Sequence, residues 1–381
     1  MMNPQNVIFL VSRMPIGGSE TFLINILKMI GREKITPIII SLGSESDPMY
    51  GRIPEGTLKY VFPRKWRFDF SPCYSIKKVI DEYQVNTVVA VDYFTHIFLQ
   101  ITRWKWKANF RSITLMHSTK PRYLKEYLQG LVFARLLSKD DEVITTCLNQ
   151  KEFLRKLFFI PKSRLKKVIY NGIDTNFWTL PDRNFNKFEQ RKKLGIPGNA
   201  IVIINVAGFR KEKRHDVIIK GFAKFQKMIG DKPAFLLLVG GGDSQIESEM
   251  KQLAKSCSIA DKVIFMGVQD DLKSLYWLSD IFTLGSSSET FSIAALEALS
   301  TGLPSVLTNV GGASEMISEG LNGYLAEPGS SDSLASAWLK CTDLLPKISH
   351  ERIREIVVSR FDIRECVHNY EEYILNLKSS E

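Results

Sequence analysis

Two stretches of this chain begin in the same way. Val7-Ile-Phe-Leu-Val11 is an unbroken apolar run, and Gly17-Gly18 then opens a helix to about Ile30 with Phe22, Leu23, Ile26, Leu27 and Ile30 on one side. Ile201-Val-Ile-Ile-Asn-Val206 restarts the pattern, and Ala207-Gly208 leads through a charged loop into a helix over Val217–Met228. Apolar runs without polar alternation read as strands buried on both faces, the state of a parallel sheet. Further strand-like runs occur at Pro37–Leu42, Thr87–Val91, Ser112–Met116 and Glu142–Thr146, then at Phe235–Val239, Val263–Val268 and Asp280–Leu284. Strands alternating with helices make an α/β chain, and two restarts within 381 residues imply two doubly wound domains. The polar, basic segment Pro181–Lys193 reads as the linker, which puts the domains at 1–183 and 184–361.

The chemistry concentrates between Thr283 and Gly312. A short apolar strand, Asp280-Ile-Phe-Thr-Leu284, runs into the turn Gly285-Ser-Ser-Ser288, and a helix follows from about Ser292 to Ser300, stopped by Thr301-Gly302-Leu303-Pro304. A helix N-terminus at the carboxyl edge of a parallel sheet presents free N–H groups and positive dipole character, which suit a phosphate. Glu289 before the helix and Glu297 within it, with seven residues between them, can accept hydrogen bonds from the hydroxyls of a sugar and a ribose. Together these are the parts of a nucleotide-sugar site. In the loop after Val206, Arg210 offers a forked contact and Lys213 a point charge to a departing diphosphate. His117 directly follows the strand Ile113–Met116 and Asp92 follows Val88–Val91, both at carboxyl ends where open α/β sheets bind ligands.

Glu289-x7-Glu297, the Gly-Leu-Pro stop and the loop Gly311-Gly312-x-x-Glu315 resemble the donor-site signature of the retaining glycosyltransferases of family 4, which have the GT-B fold. The resemblance implies two Rossmann-like domains facing an interdomain cleft, acceptor in the first and donor in the second, with the last helix, about 362–381, packing back on the first. It implies catalytic roles for Glu289, His117, Lys213 and Arg210. It implies donor contacts from Glu297, Gly17, Gly18, Gly208, Gly241, Val268, Thr290, Phe291, Ser292 and Ile293. Two departures stand out. Thr290-Phe291-Ser292 replaces the Gly-Phe-Gly that often follows the first Glu, and Ser292 reads as a helix cap. Gly208 occupies the place where many members carry the Arg, so Arg210 has to reach instead.

The implied reaction is transfer of a hexose or N-acetylhexosamine from a nucleoside-diphosphate sugar, UDP-sugar favoured, to a lipid-linked or oligosaccharide acceptor in surface polysaccharide synthesis. Alternatives are a GDP-mannose-type donor or a GT-B protein that binds nucleotide without turnover. No cofactor and no metal is expected, since the chain shows no convincing Asp-x-Asp site. The five cysteines are scattered, without CxxC spacing, which suits a reducing cytoplasm rather than a disulfide framework. No basic leader precedes the first strand and no long uncharged apolar run is present. Charge divides unevenly: 28 Lys/Arg against 16 Asp/Glu up to Arg183, then 23 against 25. Arg64-Lys-Trp-Arg-Phe68 and Arg103-Trp-Lys-Trp-Lys107 interleave rings with cations. That composition leads us to expect peripheral contact with an anionic membrane, on the inner face of the plasma membrane, and no nucleic acid partner.

Overall fold

The computed structural model describes residues 4–66, 69–116 and 124–375. The chain divides into two compact units, Met1–Gly172 with Ile363–Glu381, and Ile173–Asp362.

The first unit is built on a parallel sheet of β1 (Gln5–Val11), β2 (Ile35–Ser41), β3 (Leu58–Val61), β4 (Thr87–Ala90), β5 (Arg111–Met116), β6 (Glu142–Thr145) and β7 (Leu165–Val168). Its order is β3-β2-β1-β4-β5-β6-β7. The connections run one way from β1 to β3 and the other way from β4 on, so the switch point lies between β1 and β4. Helices α1 (Gly18–Met29), α2 (Tyr93–Trp106), α3 (Leu124–Leu136) and α4 (Leu148–Leu157) flank this sheet. Asp92 caps α2, its Oδ1 accepting from Thr95 N at 2.7 Å.

The second unit has β8 (Ile201–Val206), β9 (Ala234–Val239), β10 (Val263–Gly267), β11 (Ile281–Leu284), β12 (Ser305–Thr308) and β13 (Gly323–Ala326), parallel in the order β10-β9-β8-β11-β12-β13. Strand β9 is buried at every position, as its unbroken apolar run requires. Its helices include α5 (His215–Met228), α6 (Ile293–Ser300), α7 (Ser331–Leu344) and α8 (His350–Phe361). Helix α7 fastens β11, where the Trp338 indole donates to Thr283 Oγ1 at 3.1 Å.

The boundary falls at Gly172 rather than Arg183. Residues 173–183 are held inside the second unit: the Trp277 indole donates to Thr179 O at 2.7 Å, Ser300 Oγ to Trp178 O at 2.7 Å, and Trp178 meets the Tyr276 ring edge-on at 5.6 Å. The final helix, α9 (Ile363–Ile374), lies in the first unit. Its buried Glu371 accepts from Gly31 N at 2.6 Å, and Arg111 donates to the carbonyls of Tyr373 and Ile374 at its end. Among the described residues, no helix is long and apolar enough to cross a membrane.

Candidate active site

The Gly-Ser-Ser-Ser turn after β11 brings Glu289 back towards the loop after β8. Ser286 Oγ donates to Glu289 Oε1 at 2.8 Å, and Lys213 Nζ lies 2.5 Å from the same oxygen. Both charged side chains are about four-fifths covered, 19% exposed for Lys213 and 17% for Glu289. The two loops are stitched by Ser287, whose N donates to Glu212 O at 2.8 Å. The carboxylate and the cation, expected separately as partners of sugar and diphosphate, thus meet as an ion pair.

Glycine at 311 makes this geometry possible. Its φ is +55°, and an added Cβ would lie 2.2 Å from Glu289 O and 2.6 Å from Thr290 O. Gly312 N then donates to Thr290 O at 2.7 Å, so the Gly-Gly loop clamps the backbone that carries Glu289. Thr290 and Ser292 do not have positive φ. Ser292 is the N-cap of α6, with φ −72° and its Oγ accepting from Ala295 N, and Ile293 is the first helical residue. Phe291 is buried against Phe361, ring centroids 5.2 Å apart, and its ring anchors the loop. A small cavity beside this N-terminus is lined by Glu289, Thr290, Ser292 and Thr308.

Glu297 sits one turn into α6 and accepts a hydrogen bond from the Tyr276 hydroxyl at 2.9 Å. Burial pushes its carboxyl from the ordinary 4.5 up to about 7, although the Tyr276 bond pulls it down. A carboxyl whose folded pKa is raised contributes stability fully below its unfolded value, and that contribution is lost as pH rises through the folded value. Relative to Glu297→Gln, the wild type should therefore lose stability as pH climbs from 4.5 to about 7. Thermal melts of the two proteins across that window measure it, and a constant offset between them would refute the shift.

Gly208, Gly241 and Val268 come together. Phe209 N donates to Gly241 O at 2.7 Å; a Cβ on Gly208 would lie 3.2 Å from that oxygen, and one on Gly241 would lie 2.8 Å from Val268. Val268 itself is 76% exposed. Arg210, half-exposed, folds back so that its Nε lies 3.5 Å from where a Gly208 side chain would begin. The guanidinium thus occupies the space above Gly208, although its residue is two places on. Its Nη1 lies 3.9 Å from Glu212 Oε1.

Two groups here have no obvious sequence signal. Tyr276, the partner of Glu297, lies in an apolar stretch and reads as core. His215, at the start of α5, stacks on Phe209 with centroids 4.4 Å apart, and burial pushes its imidazole down to about 4.

In the first unit, Gly17 is the N-cap of α1, with extended backbone, and Gly18 its first residue. A cavity of about 170 Å³ lies at the carboxyl ends of β1 and β4, lined by Ser12, Arg13, Ser19, Glu20, Asp92 and Tyr93. Asp47 fixes Arg13 at 2.8 Å. His117 lies outside the described residues. Among the described residues, no three His, Cys, Asp or Glu side chains are grouped as a metal site would need.

Residues 16–177 match the family model "Glycosyltransferase Family 4", and residues 186–351 match "Glycosyl transferases group 1". N-acetyl-alpha-D-glucosaminyl L-malate synthase of Bacillus anthracis is 33% identical over 207 residues, 54% of this chain and 52% of that protein. The O-antigen biosynthesis glycosyltransferase WclY of Escherichia coli is 26% identical over 187 residues, 49% of this chain and 48% of the relative. The chain spans about half the length of the curated relatives it matches. The crystal structure of Anabaena HepE in complex with UDP superimposes with a TM-score of 0.84, covering 98% of this chain and 100% of that one at 20% identity. That likeness is one of fold, the two-sheet GT-B architecture. With one model matching in each unit and the Glu-x7-Glu stretch lying within the second, the chain belongs to glycosyltransferase family 4.

Proposed function

We propose that this chain transfers a hexose or N-acetylhexosamine from a nucleoside-diphosphate sugar, with UDP-sugar favoured, to a saccharide or lipid-linked acceptor, retaining the anomeric configuration. The observation that carries this reading is the Lys213–Glu289 pair held by the Gly311 clamp at the N-terminus of α6. In it, the α6 N–H groups and Lys213 take up charge on the departing diphosphate, with Arg210 reaching in from above Gly208. Glu289 accepts from donor-sugar hydroxyls, and Glu297 from the ribose. The strip formed by Gly208, Gly241 and Val268 lies against the base. Leaving-group oxygen then assists acceptor deprotonation on the same face, so neither carboxylate need become a nucleophile and no metal is invoked. His117 is assigned beside the donor sugar through the family resemblance.

The acceptor belongs to the cavity at the β1/β4 switch point. Its volume is comparable to the roughly 150 Å³ that takes one six-membered ring, and its hydroxyl and carboxylate lining suits a sugar terminus. HepE has been crystallised with UDP, and WclY acts in O-antigen biosynthesis, which favours a UDP-sugar and a surface polysaccharide.

Incubation with UDP- and GDP-sugars, following slow donor hydrolysis, tests the reading. UDP-sugar hydrolysis with retention at the anomeric carbon is expected. Nucleotide binding without any turnover would make the chain a non-catalytic binding protein instead. Lys213→Ala is expected to lower kcat about a hundredfold, the scale of one lost electrostatic donor, with uridine affinity nearly unchanged. Equal losses in both would place Lys213 in ground-state binding.

A further inference from the structure

The first unit carries 29 Lys/Arg against 18 Asp/Glu, a net +11, and residues 120–167 alone contribute 12 against 5. That segment holds α3 and α4, and the apolar side chains of α3 do not all find cover. Leu124, Leu128, Val132 and Leu136 recur every fourth residue, one ridge of the helix, and are 73%, 52%, 47% and 38% exposed. The opposite side is packed: Phe133 is fully buried, and a Cβ on Gly130 would strike the Phe158 ring.

Next to that ring stands Phe159, 84% exposed with φ +55°. A bulky residue in the left-handed region is strained, and the apolar ring carried there stands in solvent. Lys156 and Lys162, three residues to either side of it in the chain, are exposed, as is Arg135 near the end of α3.

We infer that the α3 ridge and Phe159 form a docking face for an anionic lipid bilayer, with α3 lying along the surface and the surrounding cations meeting the headgroups. Long apolar side chains with basic neighbours are the composition of interfacial helices. A second copy of the chain is the poorer occupant, since it would bring two strongly basic faces together, whereas an anionic surface complements them. The docking face also shifts away from the Arg103–Lys107 segment. Trp104 is 83% exposed, but Trp106 packs on Tyr74 at 6.0 Å with Lys105 over its ring, and serves the core of the unit. The inference stands apart from the donor chemistry. A surface-bound acceptor would explain it, yet vesicle binding and donor hydrolysis are measured separately and fail separately.

The full chain is sedimented with vesicles of phosphatidylcholine alone, and with vesicles containing phosphatidylglycerol, at low and raised salt. Binding to the anionic vesicles only, weakened by salt, is expected. Leu128→Gln/Val132→Gln should reduce it about tenfold or more, the scale of losing two partly immersed aliphatic side chains. Phe159→Asn places a residue tolerant of left-handed backbone there, so it should keep or raise the melting temperature while weakening binding several-fold. Trp104→Ala should retain most of the binding. The inference is overturned if anionic vesicles are ignored at low salt, or if the α3 variants bind as wild type does. It is equally overturned if those variants instead abolish a dimer seen in solution, or abolish stronger binding to single-stranded oligothymidine.

Discussion

Glu289→Ala is expected to lower turnover on the order of 10³-fold while leaving the protein folded. Two losses combine in that figure. The carboxylate that would receive the donor sugar's hydroxyls is gone, and Lys213 loses the oxygen that holds its Nζ at 2.5 Å. Each group of this kind is worth about 10²-fold or more in a preorganised site. Because one oxygen serves both Lys213 and Ser286, the three act as a unit. Glu289→Ala/Lys213→Ala should therefore be hardly slower than the worse single variant. Fully additive losses would show that the two groups act independently, and an unchanged rate in Glu289→Ala would remove the site. Melting curves separate these outcomes from misfolding: both side chains keep some solvent access, so only a modest drop is expected.

Gly311→Ala should do damage of another kind. At φ +55° any L-residue is strained by roughly 1–2 kcal/mol. The new methyl would also lie 2.2 Å from Glu289 O and 2.6 Å from Thr290 O, both backbone atoms that cannot swing aside. The clamp has to open, and a total loss near 3 kcal/mol is the reasonable scale for strain plus a lost buried hydrogen bond. Displacing Glu289 by about an ångström would slow turnover roughly a hundredfold in the fraction still folded. Gly312→Ala is the comparison for backbone strain alone, since its φ is negative at −85°. If Gly311→Ala melts and turns over as wild type does, the clamp has no role in placing Glu289.

The parts of the molecule that follow from short-range chemistry were legible in the chain. Unbroken apolar runs such as Val7–Val11 and Ile201–Ile204 lie in strands because a buried parallel sheet accommodates them. Ser292 caps α6 as its residue type suggests, and Asp174 closes the turn after Gly172 by accepting from Asn176 N and Phe177 N. Glu289, Glu297 and Lys213 were singled out, but not the company they keep. The Lys213–Glu289 pair spans 76 positions, and Tyr276 reaches Glu297 from another helix. Spacing along a chain carries no signal for such meetings. The unit boundary was displaced for the same reason. Pro181–Lys193 is polar enough for a linker, yet residues 173–183 are tied down by Trp178 and Trp277, whose partners lie about a hundred positions away. Similarly, Trp104 and Trp106 have one composition but different fates, because Tyr74 happens to be within reach of only the second.

The place where the chain leaves and rejoins its first unit has a temporal meaning. Ile173 and Asp362, the two ends of the second unit, are neighbours, with Ile173 N donating to Phe361 O at 2.8 Å. The second unit is thus a closed loop of chain inserted before the last helix of the first. Ribosomal synthesis delivers α9 only after the whole second unit has emerged. Until then Gly31 N lacks the Glu371 carboxylate, Arg111 lacks the carbonyls of Tyr373 and Ile374, and Phe22 lacks the ring of Tyr370, 6.0 Å away. The half that starts the chain is consequently the half that finishes maturing last, reversing the N-terminal-first order usual for a growing polypeptide.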